Sequence, residues 1–361
     1  MRIIKGLVLF VFLSVMSLSA FAQDIHFSQF YMSPLTLNPA LTGVMNCNHR
    51  LTANYRNQWA SVLRGNAFRT YSVSYDQKLP VGRHDYFGVG GAFWGDRAGQ
   101  SNFSTLTGKL AFSYAKRMAG DRTSGHYIVA GAEAGLGQRS INFLNLTWGN
   151  QWTGDNFDPN QASGETFSRD NFLFADLSAG LLWFSVFDKY NSLYFGGAFS
   201  HLNRANLSFR DNPLPSQYEY YLTKMTAHMG GDFLVTDKFG LVPGIVTFIQ
   251  GPSFELNGGT SFKFLLGNTR TEYQAFQVGL WARLANRYIK DDGATTARKG
   301  ILMDALILSA RFEYDQFNIG FSYDLNTSPL RSASNGNGAF ELALAYKICG
   351  PERRSVYCPS F

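Results

Sequence analysis

The chain has 361 residues, including 36 glycines, 32 phenylalanines and 18 tyrosines, and charged residues make up only 16% of it. The formal net charge is +6 and the basic residues are dispersed, which argues against a nucleic-acid-binding protein. Six scattered histidines and three cysteines without a Cys-x-x-Cys pair offer no metal-ligand spacing. Low charge with many aromatic residues and glycines is typical of a β protein whose outer face meets an apolar medium.

The N-terminal residues have the pattern of an export signal. Two basic residues precede an apolar stretch at 6–18, and Ala20-Phe21-Ala22 is a small-x-small cleavage pattern. We therefore predict a signal peptide at 1–22. The alternative is a membrane anchor, but the stretch is short for a span of about 20 residues, and no cysteine follows that could accept a lipid.

Apolar residues alternate with small or polar ones, with a period of two, from Leu51 to the end of the chain. Phe254, Leu256, Phe262 and Phe264, for example, fall on one face of one predicted strand. Turn signals separate the alternating stretches. The pattern predicts strands at about residues 49–59, 66–78, 86–95, 102–117, 126–138, 171–187, 191–203, 219–235, 238–250, 253–267, 272–284, 300–315, 316–326 and 338–348.

The export signal, the long strands and the low charge together predict an all-β fold: a transmembrane outer-membrane β-barrel of about 14 antiparallel strands. In lipid every backbone polar group must be paired, so the sheet has to close. Apolar lipid-facing positions then alternate with positions that face the lumen. A secreted β-sandwich or β-helix is the alternative, and it is disfavoured because the chain lacks a self-similar repeat of about 20–30 residues.

The alternation also predicts which side chains point inward and which lie near the membrane surfaces. Inward charges either line a water-filled pore or pair into a plugged interior, and both remain open at this stage. The predicted lumen charges are Lys109, Glu255, Lys263, Arg283, Arg311, Glu313, Asp324 and Glu341. The predicted interfacial aromatic girdles contain Tyr71, Tyr75, Tyr194, Tyr314 and Tyr346.

The barrel at 48–348 is flanked by a non-regular segment at 23–47 and a C-terminal periplasmic tail at 349–361. Pro34 and Pro39 argue against a long helix or central strand in the first segment, whose aromatic residues nevertheless indicate packing. It is expected at the periplasmic rim or as a plug. An even strand number places both ends of the barrel on the periplasmic side, so we expect the start of the segment there, beside the tail.

Three cysteines in an exported chain predict one disulfide and one remaining thiol. A bridge from Cys47 to Cys349 or to Cys358 would join the two ends of the barrel. A Cys349–Cys358 bridge would instead close a small terminal loop. The sequence leaves the pairing open.

Catalytic motifs are sparse, and we predict that the chain is not an enzyme and has no cofactor. Ser200, His201 and Asp232 could be drawn as a hydrolytic triad. However, adjacent residues of one strand point to opposite faces, so Ser200 and His201 could not bond each other.

Three stretches resemble the PorP/SprF family over essentially the whole exported chain: QDIHFSQFYMSPLTLNPALTG at 23–43, NYRNQW at 54–59, and CPSF at 358–361. The resemblance implies an outer-membrane barrel of the type IX secretion system, which in some bacteria also supports gliding motility. It implies that secreted cargo, notably large adhesins with a C-terminal sorting domain, and periplasmic secretion components are partners, beside outer-membrane lipid.

The resemblance makes the motif residues candidates for partner binding at the periplasmic rim, or for a role limited to stabilising the barrel. They are Phe27, Ser28, Gln29, Phe30, Asn38, Pro39, Asn54, Arg56, Gln58 and Trp59. The long outer loops at 140–170 and 204–217 are the predicted cargo surface, with Trp148, Trp152 and Tyr218 as anchors, because aromatic side chains dominate interface energetics. The alternative function is a passive channel or a transporter for apolar solutes.

Overall fold

The computed structural model describes residues 24–121, 124–165, 169–210, 214, 218–269, 272–289, 298–350 and 358–359. The predicted signal peptide and most of the predicted tail lie outside these residues. Fourteen strands are present: β1 (His49–Gln58), β2 (Phe68–Val81), β3 (Asp85–Ala98), β4 (Phe103–Ala119), β5 (Gly125–Ser140), β6 (Asn171–Val186), β7 (Ser192–Ser200), β8 (Lys224–Thr236), β9 (Phe239–Gln250), β10 (Ser253–Thr269), β11 (Glu272–Ile289), β12 (Arg298–Tyr314), β13 (Phe317–Asn326) and β14 (Asn337–Ile348).

The strands form one closed antiparallel barrel in which each strand pairs with its neighbours in sequence. The seam is the ladder between β1 and β14, which pairs His49 with Ile348 and Gln58 with Ala339. Every strand therefore has two hydrogen-bonded neighbours, as a sheet in lipid requires. The predicted fold is confirmed. Three short α-helices accompany the strands in the described chain: α1 (Pro34–Leu37), α2 (Ala60–Leu63) and α3 (Arg331–Ser334).

The two rims of the barrel differ in the length of their connections. One rim carries the start of β1, the end of β14 and short turns such as 82–84 and 237–238. We call it the terminal rim. The opposite rim carries the long connections 141–170 and 201–223, and we call it the loop rim. Short turns at one rim and long loops at the other are typical of outer-membrane barrels.

The outer face of the wall is apolar along the strands. Leu110, Leu181 and Phe195 are 77%, 62% and 58% exposed, respectively, at outward positions of β4, β6 and β7. The inward positions carry all eight predicted lumen charges, and all eight side chains are buried. None of the described helices combines the length and the apolar character needed to cross a membrane.

One member of the predicted aromatic girdles is wrong. Tyr194 points inward and is buried in the principal core cluster with Phe30, Trp281 and Phe184. The other four girdle tyrosines are not buried, and Tyr71, Tyr75 and Tyr314 are 40%, 45% and 44% exposed. Tyr194 is the single aromatic residue on the inward face of β7, whose other inward positions carry serine, glycine and alanine. Its aromatic character and its place near a strand end suggested a girdle, but its position in the alternation of β7 directs it inward.

Candidate functional site: the luminal segment and the two rims

Residues 24–47 pass through the lumen of the barrel, and we call them the luminal segment. From Phe27 to Met45 every residue is buried except the half-buried Tyr31 and Thr36. The backbone N–H of Asp24 donates to Oε1 of Gln250 at 2.9 Å, at the loop-rim end of β9. The expectation that the segment starts at the terminal rim is therefore wrong: it starts at the loop rim and reaches the terminal rim only at its end.

The two prolines of the luminal segment begin tight turns. Pro34 is the first residue of α1, where a missing N–H costs no helical hydrogen bond. Pro39 begins a 3-10 turn at Pro39–Leu41, and Asn38 before it is extended, with a φ of −159°. The Asn38 side chain accepts a hydrogen bond from the N–H of Ala40 at 2.9 Å. The segment is thus compact and locally capped although it lacks long regular elements.

The start of the luminal segment is held by a group of polar side chains that we call the loop-rim anchor: Asp24, His201, Tyr221, Lys224 and Gln250. Lys224 Nζ lies 2.6 Å and His201 Nε2 3.3 Å from Oδ2 of Asp24, and the Tyr221 hydroxyl donates to Oδ1 at 3.1 Å. Burial alone would raise the pKa of Asp24, but Lys224 and His201 outweigh it and hold that pKa well below 3.8. Asp24 is therefore an anion at neutral pH.

His201 connects the anchor to the barrel wall. Its Nδ1 lies 3.0 Å from Oδ1 of Asp176, and its ring stacks on Tyr221 with centroids 3.6 Å apart. Asp176 in turn pairs with Lys109 at 2.9 Å. Burial lowers the pKa of His201, but the hydrogen bonds to Asp176 and Asp24 raise it to a net value above 6.5. The imidazolium form thus bridges two carboxylates.

Deeper in the lumen the backbone of the luminal segment is bound by a wall carboxylate. The N–H groups of Ser28 and Gln29 donate to the two oxygens of Glu341 at 2.7 and 3.0 Å. Arg56 pairs with Glu341 and, at 3.0 Å, with Asp324. The Ser28 hydroxyl donates to Asp324 at 2.9 Å. The sequence left open whether the lumen charges line a pore or pair with each other, and here they pair. Glu341 and Asp324 also accept hydrogen bonds from the luminal segment.

The middle of the segment approaches the wall so closely that the wall carries glycines there. The Asn38 Nδ2 donates to the carbonyls of Leu181 and Gly197 at 3.1 and 3.2 Å. A Cβ on Gly180 would overlap Oδ1 of Asn38, and one on Gly131 would overlap the backbone at Pro39 and Ala40. These glycines give the segment room to lie against the wall.

At the terminal rim a buried ion pair grips the end of the segment. Arg50 Nη2 lies 2.8 Å from Oδ2 of Asp76, and both side chains are at most 1% exposed. Arg50 also donates to the carbonyls of Leu41 and Val44 at 3.0 and 3.3 Å, and the N–H of Gly43 donates to Asp76 at 2.7 Å. We call these contacts the terminal-rim clamp.

Just beyond the clamp the chain is covalently closed. A disulfide joins Cys47 to Cys349 across the seam, spanning 302 residues of sequence. The remaining thiol, Cys358, is buried, and its Sγ lies 3.3 Å from Lys78 Nζ. The backbone N–H of Cys358 donates to Asn46 Oδ1 at 2.5 Å, so Cys358 packs beside the end of the luminal segment.

The structure brings most of the motif residues together inside the barrel. Phe27, Ser28, Gln29, Phe30, Asn38 and Pro39 are buried in the luminal segment, and Asn54 and Arg56 are buried on β1. Gln58 and Trp59 lie at the loop rim, where β1 ends, and not at the terminal rim, where partner contact was expected. A partner-binding role for the motif stays a prediction, and for the buried residues it requires that the segment leave the lumen.

The three aromatic candidates of the outer loops lie apart from the luminal segment. Trp152 and Tyr218 are 57% and 39% exposed, and Trp148 is half-buried. Sequence reasoning missed Leu144, which at 95% is the most exposed apolar residue in the described part of these loops. It also missed the loop-rim anchor, because Asp24 and Lys224 are 200 residues apart.

Ser200, His201 and Asp232 do not form a catalytic triad in the structure. His201 bonds Asp24 and Asp176, whereas Asp232 pairs with Lys263 at 2.6 Å near the other end of β8. Among the described residues, no group of three or more histidine, cysteine or acidic side chains could hold a metal ion.

Comparison with solved structures finds bacterial membrane barrels at low identity. The toluene transporter TbuX of Ralstonia pickettii is 10% identical with a TM-score of 0.44, covering 88% of this chain and 94% of that one. CdiB from Escherichia coli is 9% identical with a TM-score of 0.42, and the match covers 82% of this chain but only 63% of CdiB. A bacterial polysaccharide outer-membrane secretin is 8% identical with a TM-score of 0.35, covering 84% of this chain and 99% of that one.

A comparison with curated proteins gives no match. The profile of one family, described as type IX secretion system membrane protein PorP/SprF, matches residues 19–346, which include the luminal segment and nearly the whole wall. The chain therefore belongs to the PorP/SprF family of type IX secretion system membrane proteins.

Proposed function

We propose that this chain is a closed outer-membrane barrel that serves type IX secretion by binding other proteins, without catalysis. In this proposal the loop rim faces the cell exterior and docks the C-terminal sorting domain of a secreted cargo protein. The terminal rim faces the periplasm and contacts secretion components there. Gliding motility would depend on the same docking when the cargo is a motility adhesin.

The observation that carries the proposal is the occupied lumen. The luminal segment runs through the interior from one rim to the other with nearly every residue from Phe27 to Met45 buried, and the two cavities described beside Asp24 have volumes of about 20 Å³ each. Such a cavity holds about one water molecule. An interior of this kind disfavours the alternative of a passive channel, so that the two rims remain as the working surfaces.

The loop rim offers an exposed apolar surface on a packed base. Leu144, Trp152 and Tyr220 are 95%, 57% and 47% exposed on loops outside the strand wall. Beneath them Phe172 and Phe174 pack with Leu207, Tyr221 and neighbouring residues in a separate buried cluster. These exposed apolar side chains lie outside the lipid-facing wall and are therefore candidates for contact with a partner protein.

The docking proposal is tested by capture of a cargo sorting domain. The barrel is extracted in mild detergent, and the C-terminal sorting domain of a type IX-secreted adhesin from the same cell is used as the probe. We expect Leu144→Ser combined with Trp152→Ala to weaken binding at least about tenfold, as loss of two interface anchors does. Leu330→Ala is the control, because Leu330 is 54% exposed and lies at the same rim, directly before α3 in the connection between β13 and β14. Equal binding by all three proteins would refute docking at this surface.

The closed lumen is tested separately in planar bilayers. We expect the native barrel to show no steady conductance. Gly131→Ala places a methyl group against the segment at Pro39 and Ala40 and should produce intermittent openings. Gly108→Ala is the matched control, because its Cβ would meet nothing closer than Phe93 at 3.8 Å. A steady open pore in the native protein would favour the channel.

A further inference from the structure

Two arginines face each other on the outer surface of the wall, at the loop-rim end of β2 and β3. Arg69 is the second residue of β2, and Arg97, the last but one of β3, is its direct partner in the ladder. Both side chains are exposed. The next residue pair, Thr70 and Asp96, is joined on the inner side by a hydrogen bond of 2.6 Å, so the two guanidinium groups start from the lipid-facing side.

No carboxylate among the described residues forms an ion pair with either arginine. Like charges directly opposite each other on a sheet destabilise it. Arg97 donates through Nε to Oδ1 of Asn102 at 3.0 Å, a neutral acceptor. The Arg69 side chain makes no hydrogen bond or ion pair with any residue that the structure describes. The adjacent outward positions on β1 and β4 are Asn57 and Ser104, which are polar but uncharged.

The depth of the pair in the wall identifies its surroundings. One outward position closer to the middle of the wall lie Tyr55 and Tyr71, which are ladder partners and 36% and 40% exposed. Further in, Val73 pairs with Phe93, and these residues are 46% and 47% exposed. The arginines thus lie just beyond an aromatic belt, at the level of lipid headgroups.

We propose that Arg69 and Arg97 together bind a phosphate group of a lipid headgroup, and that this lipid is lipid A of the outer leaflet. Two guanidinium forks match the oxygen geometry of a phosphate and form charge-assisted hydrogen bonds with it. Acyl chains of the same lipid would run along Tyr71 and Phe93. The choice of lipid A rests on the orientation proposed above, with the loop rim outside.

The test is native mass spectrometry of the purified full-length barrel with lipid A as the probe. The native protein should retain one lipid A molecule per barrel. Arg69→Gln with Arg97→Gln should reduce retention about tenfold, the loss expected for charge-assisted bonds to phosphate. Lys116→Gln is the control, because Lys116 is also outward and exposed but lies towards the terminal-rim end of β4.

Lipid A stripped of its phosphates should bind the native protein as weakly as intact lipid A binds the double variant. Equal retention by native protein and double variant would overturn the site, and so would equal loss in Lys116→Gln. Tighter retention of phosphatidylglycerol than of lipid A would overturn the assignment of the lipid, and displacement by inorganic phosphate would show a free-anion site instead.

If the double variant does not fold, the single variant Arg69→Gln replaces it. This variant should fold, because the Arg69 side chain has no described partner to lose, and it should still weaken lipid A retention. Cargo binding does not enter the measurement, so its outcome is independent of the docking proposal.

Discussion

The two ends of the luminal segment are held by different means. At the terminal rim the Cys47–Cys349 disulfide and the Arg50–Asp76 pair fix the chain covalently and through a fully buried charge. At the loop rim the described contacts of Asp24 are hydrogen bonds and ion pairs alone. One end is therefore permanent and the other can be released by a change of charge. The segment is therefore a plug that could leave the lumen at its loop-rim end while remaining covalently attached at the terminal rim.

The difference also bears on the proposed function. If the start of the segment leaves the lumen, it emerges at the loop rim, the proposed cargo side, while the tether keeps it attached. A partner at the terminal rim meets only the fixed end. Changes at either end should therefore separate effects on barrel stability from effects on access to the segment.

The largest expected effect is at the terminal-rim clamp. Arg50→Met removes the partner of Asp76 and four hydrogen bonds, two to the luminal segment and two to Asp76. An unpaired buried charge of this kind costs about 3–5 kcal/mol. We expect a large drop in the unfolding midpoint of the detergent-solubilised barrel, measured by loss of its heat-modifiable gel band. Arg64→Met, at an exposed arginine of the loop rim, is the control. An unchanged midpoint in Arg50→Met would contradict the clamp.

The second-largest effect on the unfolding midpoint is expected from loss of the disulfide. Cys47→Ser opens the covalent closure of the seam, and loss of a native disulfide typically costs about 2–4 kcal/mol. Reduction of the native protein should lower the midpoint by the same amount, whereas Cys47→Ser should no longer respond to reduction. Cys358→Ser retains the bridge and is the control. Non-reducing peptide mapping that joins Cys47 to Cys358 would show that the pairing is different.

The wall could be predicted from the sequence because each strand encodes its own two faces. The alternation at Leu306, Leu308 and Phe312, for example, needs no knowledge of any other strand. The contacts of the luminal segment are not local: Ser28 and Glu341 are 313 residues apart and no period relates them. The disulfide pair also remained open, since Cys349 and Cys358 both follow the last strand.

The position of Asp24 was predicted wrongly for a geometric reason. The even number of strands locates the first residue of β1, His49, but not a residue that lies 25 positions earlier. A segment of this length is enough to cross a hydrocarbon core of about 30 Å, at up to about 3.3 Å per residue. The length of the segment and its apolar and aromatic residues are therefore the sequence features that could have indicated a segment spanning the lumen.

The third prediction loosens the releasable end. Asp24→Asn removes the carboxylate that pairs with Lys224 and His201 and leaves Lys224 buried without its anion. Loss of such a partner costs about 1–3 kcal/mol. In a Cys358→Ser background, a cysteine introduced as Ile25→Cys should react about tenfold faster with an impermeant maleimide applied from the loop-rim side. Val44→Cys, at the fixed end, should stay unreactive. Equal acceleration at both positions would mean that the two ends are not held independently.

The smallest effect is the pH dependence of the same end. The pKa of His201 is raised by its bonds to Asp176 and Asp24, so its stabilising contribution is complete below the ordinary value of 6.5 and is lost as the pH rises through the raised pKa. The pKa of Asp24 is depressed, so its contribution is present above 3.8 and is lost as the pH falls towards and through that depressed pKa. The loop-rim anchor should therefore be strongest in the window between these values.

Because Lys224 still pairs with Asp24 when His201 is neutral, alkaline release should be only a few-fold, less than in Asp24→Asn. The measurement is the Ile25→Cys labelling rate in the presence of His201→Gln divided by the rate in its absence. This ratio cancels the pH dependence of the maleimide reaction itself. That ratio should be large near pH 6, where only the native anchor has its imidazolium, and should approach one at alkaline pH. A ratio that stays constant across this range would show that His201 contributes packing on Tyr221 but no charge, and Lys224 would then be the cation that pairs with Asp24 at every pH in this range.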